Sequence, residues 1–250
     1  IWVMNADGSD AHQVTHCGDD RCFSPTWSPD GTQIAYDHYG ASGGQIWVVN
    51  ADGTDPHALT NDSGDHYDPQ WSPDGTKIAY VDSDGTDQIV VMNADGTDPV
   101  RITSGSTDSK DPNWSPDGTR IAFTRELDGD EYQVMIMNAD GSDVVPVTDA
   151  SNGPDNEEPV WSPDGTMIAY VAWPEQSEIP NIWIIDVDGT NARQVTYNDT
   201  DEIYSPDWQA IPNVTPPSST STSSTTSTSV APTSSEAPTT TTGPTSKPAA

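Results

Sequence analysis

The sequence predicts an all-β protein: a β-propeller of four-stranded antiparallel blades. Three observations predict it. W-S-P-D-G-T opens at Trp27, Trp71, Trp114 and Trp161, about 45 residues apart, with an eroded fifth copy at Trp208, and periods of this size belong to propeller blades or solenoid repeats. A second unit, I-W-V-M-N-A-D-G at Ile1, interleaves with the first and returns at Ile46, Ile89, Val134 and Ile182. No stretch carries the 3.6-residue apolar period of a helix.

Trp71 to Thr103 serves as the reference repeat. The run D-P-Q-W enters as a first strand and stops at S-P-D-G, where Pro73 presets φ and Asp74-Gly75 supplies turn residues. Lys77 to Val81 follows; Ile78, Ala79, Tyr80 and Val81 form the nearly continuous apolar run of a strand covered on both faces. S-D-G-T-D makes a loop, and Gln88 to Asn93, rich in β-branched residues, makes a third strand. N-A-D-G turns the chain into a short fourth strand, Val100 to Thr103, polar on one side as an outer edge requires. Such a meander cannot bury both apolar faces alone, so radial stacking of the sheets follows. A β-solenoid needs far fewer residues per turn than four strands supply.

W-S-P-D-G-x-x-I-A-[YF] followed by I-[WV]-V-M-N-A-D-G-[ST] resembles the repeat of TolB-like β-propellers, the WD40-like PD40 family, over residues 1–211. The same repeat occurs in the propeller of prolyl oligopeptidases. The resemblance implies a propeller, commonly of six blades, acting as a scaffold or adaptor in the cell envelope. This chain departs from six. The first-strand motif occurs five times, the I-A-Y strand four times (Ile34, Ile78, Ile121, Ile168), and the third and fourth strands five times from Ile1. The expectation is four complete blades plus one split or incomplete blade, a fragment of a six-bladed ring if a further blade precedes Ile1, with the strand at Trp208 joining the hairpin of residues 1–15. Ile1 already lies inside a repeat, so the N-terminus reads as cut and no export signal is legible.

From residue 212 to 250 the chain is almost wholly Ser, Thr, Pro, Ala and Gly. It offers too little apolar surface to fold and reads as a disordered stalk or linker of an exported protein. Lys plus Arg is 8 against 40 for Asp plus Glu, and the tail contributes only Glu236 and Lys247, so the net charge of −32 belongs to residues 1–211. A field of that sign repels nucleic acid and anionic membrane surfaces and favours basic or cationic partners, while also keeping the chain soluble. No apolar run is long enough to cross a bilayer as a helix. A monomer placed outside the cell, on its surface or in the periplasm is expected.

Few motifs speak for catalysis. Cys17 and Cys22, in H-C-G-D-D-R-C, have no second cysteine pair, which makes a poor zinc motif; an exported chain would close them as a disulfide. The N-A-D-G-[ST] turns resemble calcium loops but lack the glutamate an EF-hand requires, and hairpin chemistry accounts for them. No G-x-S-x-G elbow is present. His16, His38 and His66 fall in loops, so a metal-assisted lyase or hydrolase with His38 and His66 as ligands is the enzymatic alternative, beside membership of a larger peptidase.

Binding has a better location. The S-P-D-G and N-A-D-G turns share one face of a meander, which leaves the fourth-to-first and second-to-third connections on the other. These vary from repeat to repeat and include Asp82, Asp84, Asp87, Asp128, Asp130, Asp155, Glu157 and Trp173. Variable loops on a rigid scaffold are where binding resides. The residue before the first-strand proline is Ser24, Asp68, Asp111, Glu158 or Ser205. Since first strands line the channel, Asp68, Asp111 and Glu158 should converge at its mouth, where they suit a basic side chain or a hard cation, Ca2+ being the one ion to consider. The expected function is a non-enzymatic exported scaffold that binds a protein or extracellular ligand through this acidic face, with no resident cofactor.

Overall fold

The computed structural model describes residues 1–41, 43–127, 131–149, 155–173, 179–197 and 203–208. The chain divides into two units, Ile1–Pro212 and Asn213–Ala250, and the second, the Ser/Thr/Pro-rich segment, lies outside the described residues. Every described element is a strand. Four repeats each form an antiparallel four-stranded meander. The first is β3 (Arg21–Trp27), β4 (Gln33–Gly40), β5 (Gly43–Asn50) and β6 (His57–Ala58). The second is β7 (Asp65–Trp71), β8 (Lys77–Ser83), β9 (Asp87–Asn93) and β10 (Val100–Arg101). Then come β11 (Ser109–Trp114), β12 (Arg120–Leu127), β13 (Glu131–Asn138) and β14 (Val145–Pro146), followed by β15 (Asp155–Trp161), β16 (Met167–Trp173), β17 (Asn181–Asp186) and β18 (Arg193–Gln194). A single parallel bridge, Tyr132 to Asp155, links the last two meanders into one sheet.

Ahead of them stand only β1 (Trp2–Val3) and β2 (His12–Gln13), paired with each other. They are the third and fourth strands of a fifth repeat. The expected joining of this hairpin by the strand at Trp208 falls partly outside the described residues, which include neither 198–202 nor 209–250; among the described ones no ladder joins 203–208 to β1 or β2. Trp208 packs on Ala169, Val171, Ile182 and Ile184 of the last complete repeat, the same relation that Trp71 has to the repeat before it. Two smaller corrections concern lengths. In the reference repeat the first strand begins at Asp65, and β8 and β9 run two pairs past the apolar core to Ser83 and Asp87, because the polar residues of the loop keep the ladder going.

The core lies between meanders. Trp71 packs with Ala35, Ile46 and Val48 of the preceding repeat, and Trp161 with Ala122, Val134 and Ile136. The indole N–H of Trp114 donates to Gln70 O at 3.2 Å, and that of Trp208 to Val160 O at 3.1 Å. Trp27, with only the two-stranded hairpin ahead of it among the described residues, is 47% exposed, whereas Trp71, Trp114 and Trp161 are buried.

The two uniform turns form a hydrogen-bonded rim. In each S-P-D-G-T the aspartate accepts from the serine hydroxyl and from the threonine N–H and hydroxyl, as Asp74 does from Ser72 and Thr76. These bonds hold Asp30, Asp74, Asp117 and Asp164 below the usual carboxylate range. In the N-A-D-G turns, D-V-D-G in the last repeat, Asp7, Asp52, Asp95, Asp140 and Asp188 accept from the N–H and hydroxyl of the Ser or Thr two residues on. Their carboxylates are committed to their own turns, as the hairpin reading expects. The two turn types also meet: Ala51 N donates to Thr32 O, Ala94 N to Thr76 O and Ala139 N to Thr119 O.

Candidate functional site

The opposite rim gathers the variable connections. Gly44 N donates to Asp65 Oδ1, Gln45 to Gly64 O, Asp87 N to Asp108 Oδ1 and Tyr132 N to Asp155 Oδ1. Each bond ties a second-to-third connection to the chain that enters the next first strand. The variable segments therefore lie together because they hold one another, not because they are uniform.

The first strands share a defect that builds the site. Strand pairing slips between Phe23 and Thr26, Tyr67 and Gln70, Lys110 and Asn113, and Glu157 and Val160. Within each slip the residue before proline is left-handed: Ser24 at φ 47°, Asp68 at 49°, Asp111 at 53°, Glu158 at 52°, and likewise Ser205 at 53°. A bulge re-aims a side chain out of the pleat, and the following proline, lacking an N–H, fits only where the ladder is interrupted. These five positions, with Gln70 and Asn113, line one groove of about 280 Å3.

Inside it the contacts cross between repeats. Ser24 Oγ donates to Asp68 Oδ1 at 2.7 Å, and Ser205 N donates to Glu158 Oε2 at 2.5 Å. Glu158 N donates to Thr124 Oγ1 at 3.2 Å. Asp111 Oδ2 is buried without a hydrogen-bond partner. Burial pushes the Asp111 carboxyl up to about 7, against the opposing pull of a Thr124 hydrogen bond and of Lys110. Burial also raises Asp68. Lys110 is held away from the groove by Glu157, 3.1 Å off, and by the Tyr132 ring, 4.1 Å from its Nζ.

One residue of this site was missed in the sequence. Asp37, 2% exposed, lines an adjoining recess with Ser24, Tyr67 and Asp68, and its Oδ1 has no partner. Burial, reinforced by Asp68, lifts its carboxyl to about 6 against the opposing pull of the nearby Ser24 hydroxyl. The signal was available: in the I-A-[YF]-x unit Asp37 occupies the place of Val81, Thr124 and Val171, all at most 1% exposed.

The other sequence-predicted residues are spread around the rim. Asp82 is bound by Arg101 at 2.5 Å and faces His66 Nδ1 at 3.5 Å; Asp87 accepts from the Tyr67 hydroxyl at 2.5 Å; Asp84 is exposed. Glu157 pairs with Lys110, and Trp173 lies against Tyr204 and lines a cavity of about 410 Å3 with Tyr170 and Trp183. Asp128 and Asp130 lie outside the described residues. Cys17 and Cys22 are joined in a disulfide. The histidines do not form the metal-holding set that a lyase reading needs. His38 faces Asp20 and Trp47, whereas His66 is enclosed by Asp62, Asp82 and Tyr80. Among the described residues the one group of three metal-ligating side chains is Cys17, Cys22 and His38.

Comparison with known proteins bears on the fold. The family model of the TolB β-propeller domain, PD40, matches residues 1–211. Among solved structures, a putative TolB from Agrobacterium tumefaciens is 25% identical, with a TM-score of 0.68 over 77% of this chain and 72% of that one. TolB from Acinetobacter baumannii is 24% identical, with a TM-score of 0.66; the likeness covers 78% of this chain but 48% of that protein's length. An oligogalacturonate lyase from Vibrio parahaemolyticus, at 12% identity and a TM-score of 0.58 over 77% of this chain and 58% of its own, shares the fold. No curated protein sequence matches the chain.

Proposed function

Because the chain belongs to the TolB β-propeller family, we propose that it is a non-enzymatic binding scaffold of the cell envelope, exported and monomeric, which holds a protein partner through its acidic variable face. Asp68, Asp111 and Glu158 at the groove are the contacts for a lysine or arginine of that partner, or for a hard cation such as Ca2+ that the partner brings or displaces. The Ser/Thr/Pro-rich residues 212–250 act as the stalk.

The observation that carries this reading is the unpartnered, buried Asp111 oxygen in a groove to which three repeats each deliver one carboxylate. A buried carboxyl kept near its protonated form by burial is stabilised by any cation that enters, because ion pairing replaces the lost hydration. The net charge of −32 supplies long-range attraction for basic partners.

The test is calorimetric titration of the chain with a lysine- and arginine-rich peptide at low and physiological salt. Asp68→Asn, Asp111→Asn and Glu158→Gln together are expected to weaken binding at least about tenfold, the effect of losing desolvated charge pairs. Binding unchanged by all three substitutions would overturn the reading.

A further inference from the structure

We propose that Cys17, Cys22 and His38 form a second site with two mutually exclusive states: a disulfide when oxidised, and a thiolate site for Zn2+ or a similar thiophilic divalent ion when reduced. The three side chains bring one ligand atom each to within 4.8 Å of one another. In sequence His38 stands far from both cysteines, which is why the two-cysteine motif alone looked poor. In the fold it does not: Cys22 and His38 are direct cross-strand partners on β3 and β4.

The same cross-strand position differs in every repeat. It carries Cys22 and His38, then His66 and Asp82, then Ser109 and Arg125, then Asn156 and Ala172. Only the first of these pairs joins a soft ligand to an imidazole. Cys17 reaches it through a turn in which Asp20 N donates to Cys17 O at 3.0 Å, and the two cysteine Cα atoms are 6.3 Å apart. The His38 ring lies against Trp47, ring centroids 4.9 Å apart, so its direction is held from the adjoining strand. Asp20 Oδ2 lies 3.6 Å from His38 Nε2. All three ligands are part-exposed, which gives a metal ion and a reductant access.

Tetrahedral zinc takes sulfur at about 2.3 Å and imidazole nitrogen at about 2.0–2.1 Å, so its ligand atoms stand roughly 3.5 Å apart. Breaking the S–S bond lets the two sulfurs separate toward this spacing, while the three ligand atoms already lie within 4.8 Å of one another. The exchange balances simply. A dithiol gives two electrons and two protons to the disulfide and leaves as its own disulfide, producing two thiols. The metal ion then displaces both thiol protons to solvent as it binds the thiolates.

The experiment uses Co2+ as the probe, because thiolate-to-cobalt charge-transfer absorption reports sulfur ligation and ignores the many carboxylates. The full chain is reduced with a dithiol under nitrogen, freed of it by desalting, and titrated. The expected result is a charge-transfer band that saturates at one ion per chain, is abolished by Zn2+, and is absent from the oxidised chain. His38→Ala should weaken Co2+ binding by about tenfold or more, on the scale of lost metal-site contacts. His38→Gln keeps a polar group against Trp47, and its reoxidation to the same disulfide shows that the loop is intact; it should lose affinity equally. No band in the reduced chain, or equal affinity in a His38→Gln chain that reoxidises normally, would overturn the proposal.

Discussion

Ser24 Oγ donates to Asp68 Oδ1 across 2.7 Å, joining two first strands at equivalent positions of neighbouring repeats. Asp68 is raised by burial and Ser24 pulls it back down, so this bond opposes the cost of placing a carboxylate at the groove. Ser24→Ala removes the donor and leaves the carboxylate. The loss should be about 1.5–3 kcal/mol, the range for hydrogen bonds to charged groups, read as a lower urea midpoint at unchanged slope.

Acidity should split the molecule's carboxyls into two groups. Asp37, at about 6, and Asp111, at about 7, bind protons more tightly folded than unfolded. Their contribution is complete below the unfolded carboxylate value of about 4 and is lost as pH rises through 6 and 7. The turn aspartates, Asp74 among them, are lowered, so their contribution is present above about 4 and is lost as pH falls. Unfolding followed from pH 3 to 8 should therefore show a maximum between about 4 and 6, and Asp37→Asn with Asp111→Asn should flatten the neutral side.

Tryptophans with the same sequence motif should differ in worth. Trp114→Ala leaves a cavity between repeats and frees Gln70 O, costing about 3–5 kcal/mol. Trp27→Ala, at a ring 47% exposed, should cost well under half of that. Chemical denaturation of the two variants makes the comparison, and equal losses would contradict the packing described.

Two glycines of the N-A-D-G turns separate close approach from backbone conformation. A Cβ on Gly141, at φ +86°, would collide with Ile102 O, whereas one on Gly8, at φ +80°, meets nothing within 4 Å. Gly8→Ala should cost only the left-handed penalty of about 1–2 kcal/mol. Gly141→Ala should cost clearly more, as measured by thermal unfolding, because the obstacle is backbone from the preceding repeat.

The fold was legible because the repeat multiplies each local signal: four S-P-D-G turns and four I-A-[YF] runs all agree. The incomplete repeat was legible too, and Trp208 lies on the Val171 and Ile184 surface as its place in the repeat implies. At the groove, the positions of Asp68, Asp111 and Glu158 could be read from the proline that follows each, and Asp37 from comparison of the repeats. The left-handed backbone and the slipped pairing that aim them could not, because both arise from how first and second strands register. The proximity of His38 to Cys22 was hidden for the same reason.

The tryptophan anchors all run one way. Trp71 lies on the sheet of β4 and β5, Trp114 on the carbonyl of Gln70, Trp208 on that of Val160, always a later repeat leaning on an earlier one. A chain emerging from the ribosome N-terminus first thus presents each new indole with a surface already made, and assembly proceeds like courses of brick. Damage should spread in the opposite sense: loosening an early repeat strips the footing from those after it, while loosening the last leaves its predecessors seated.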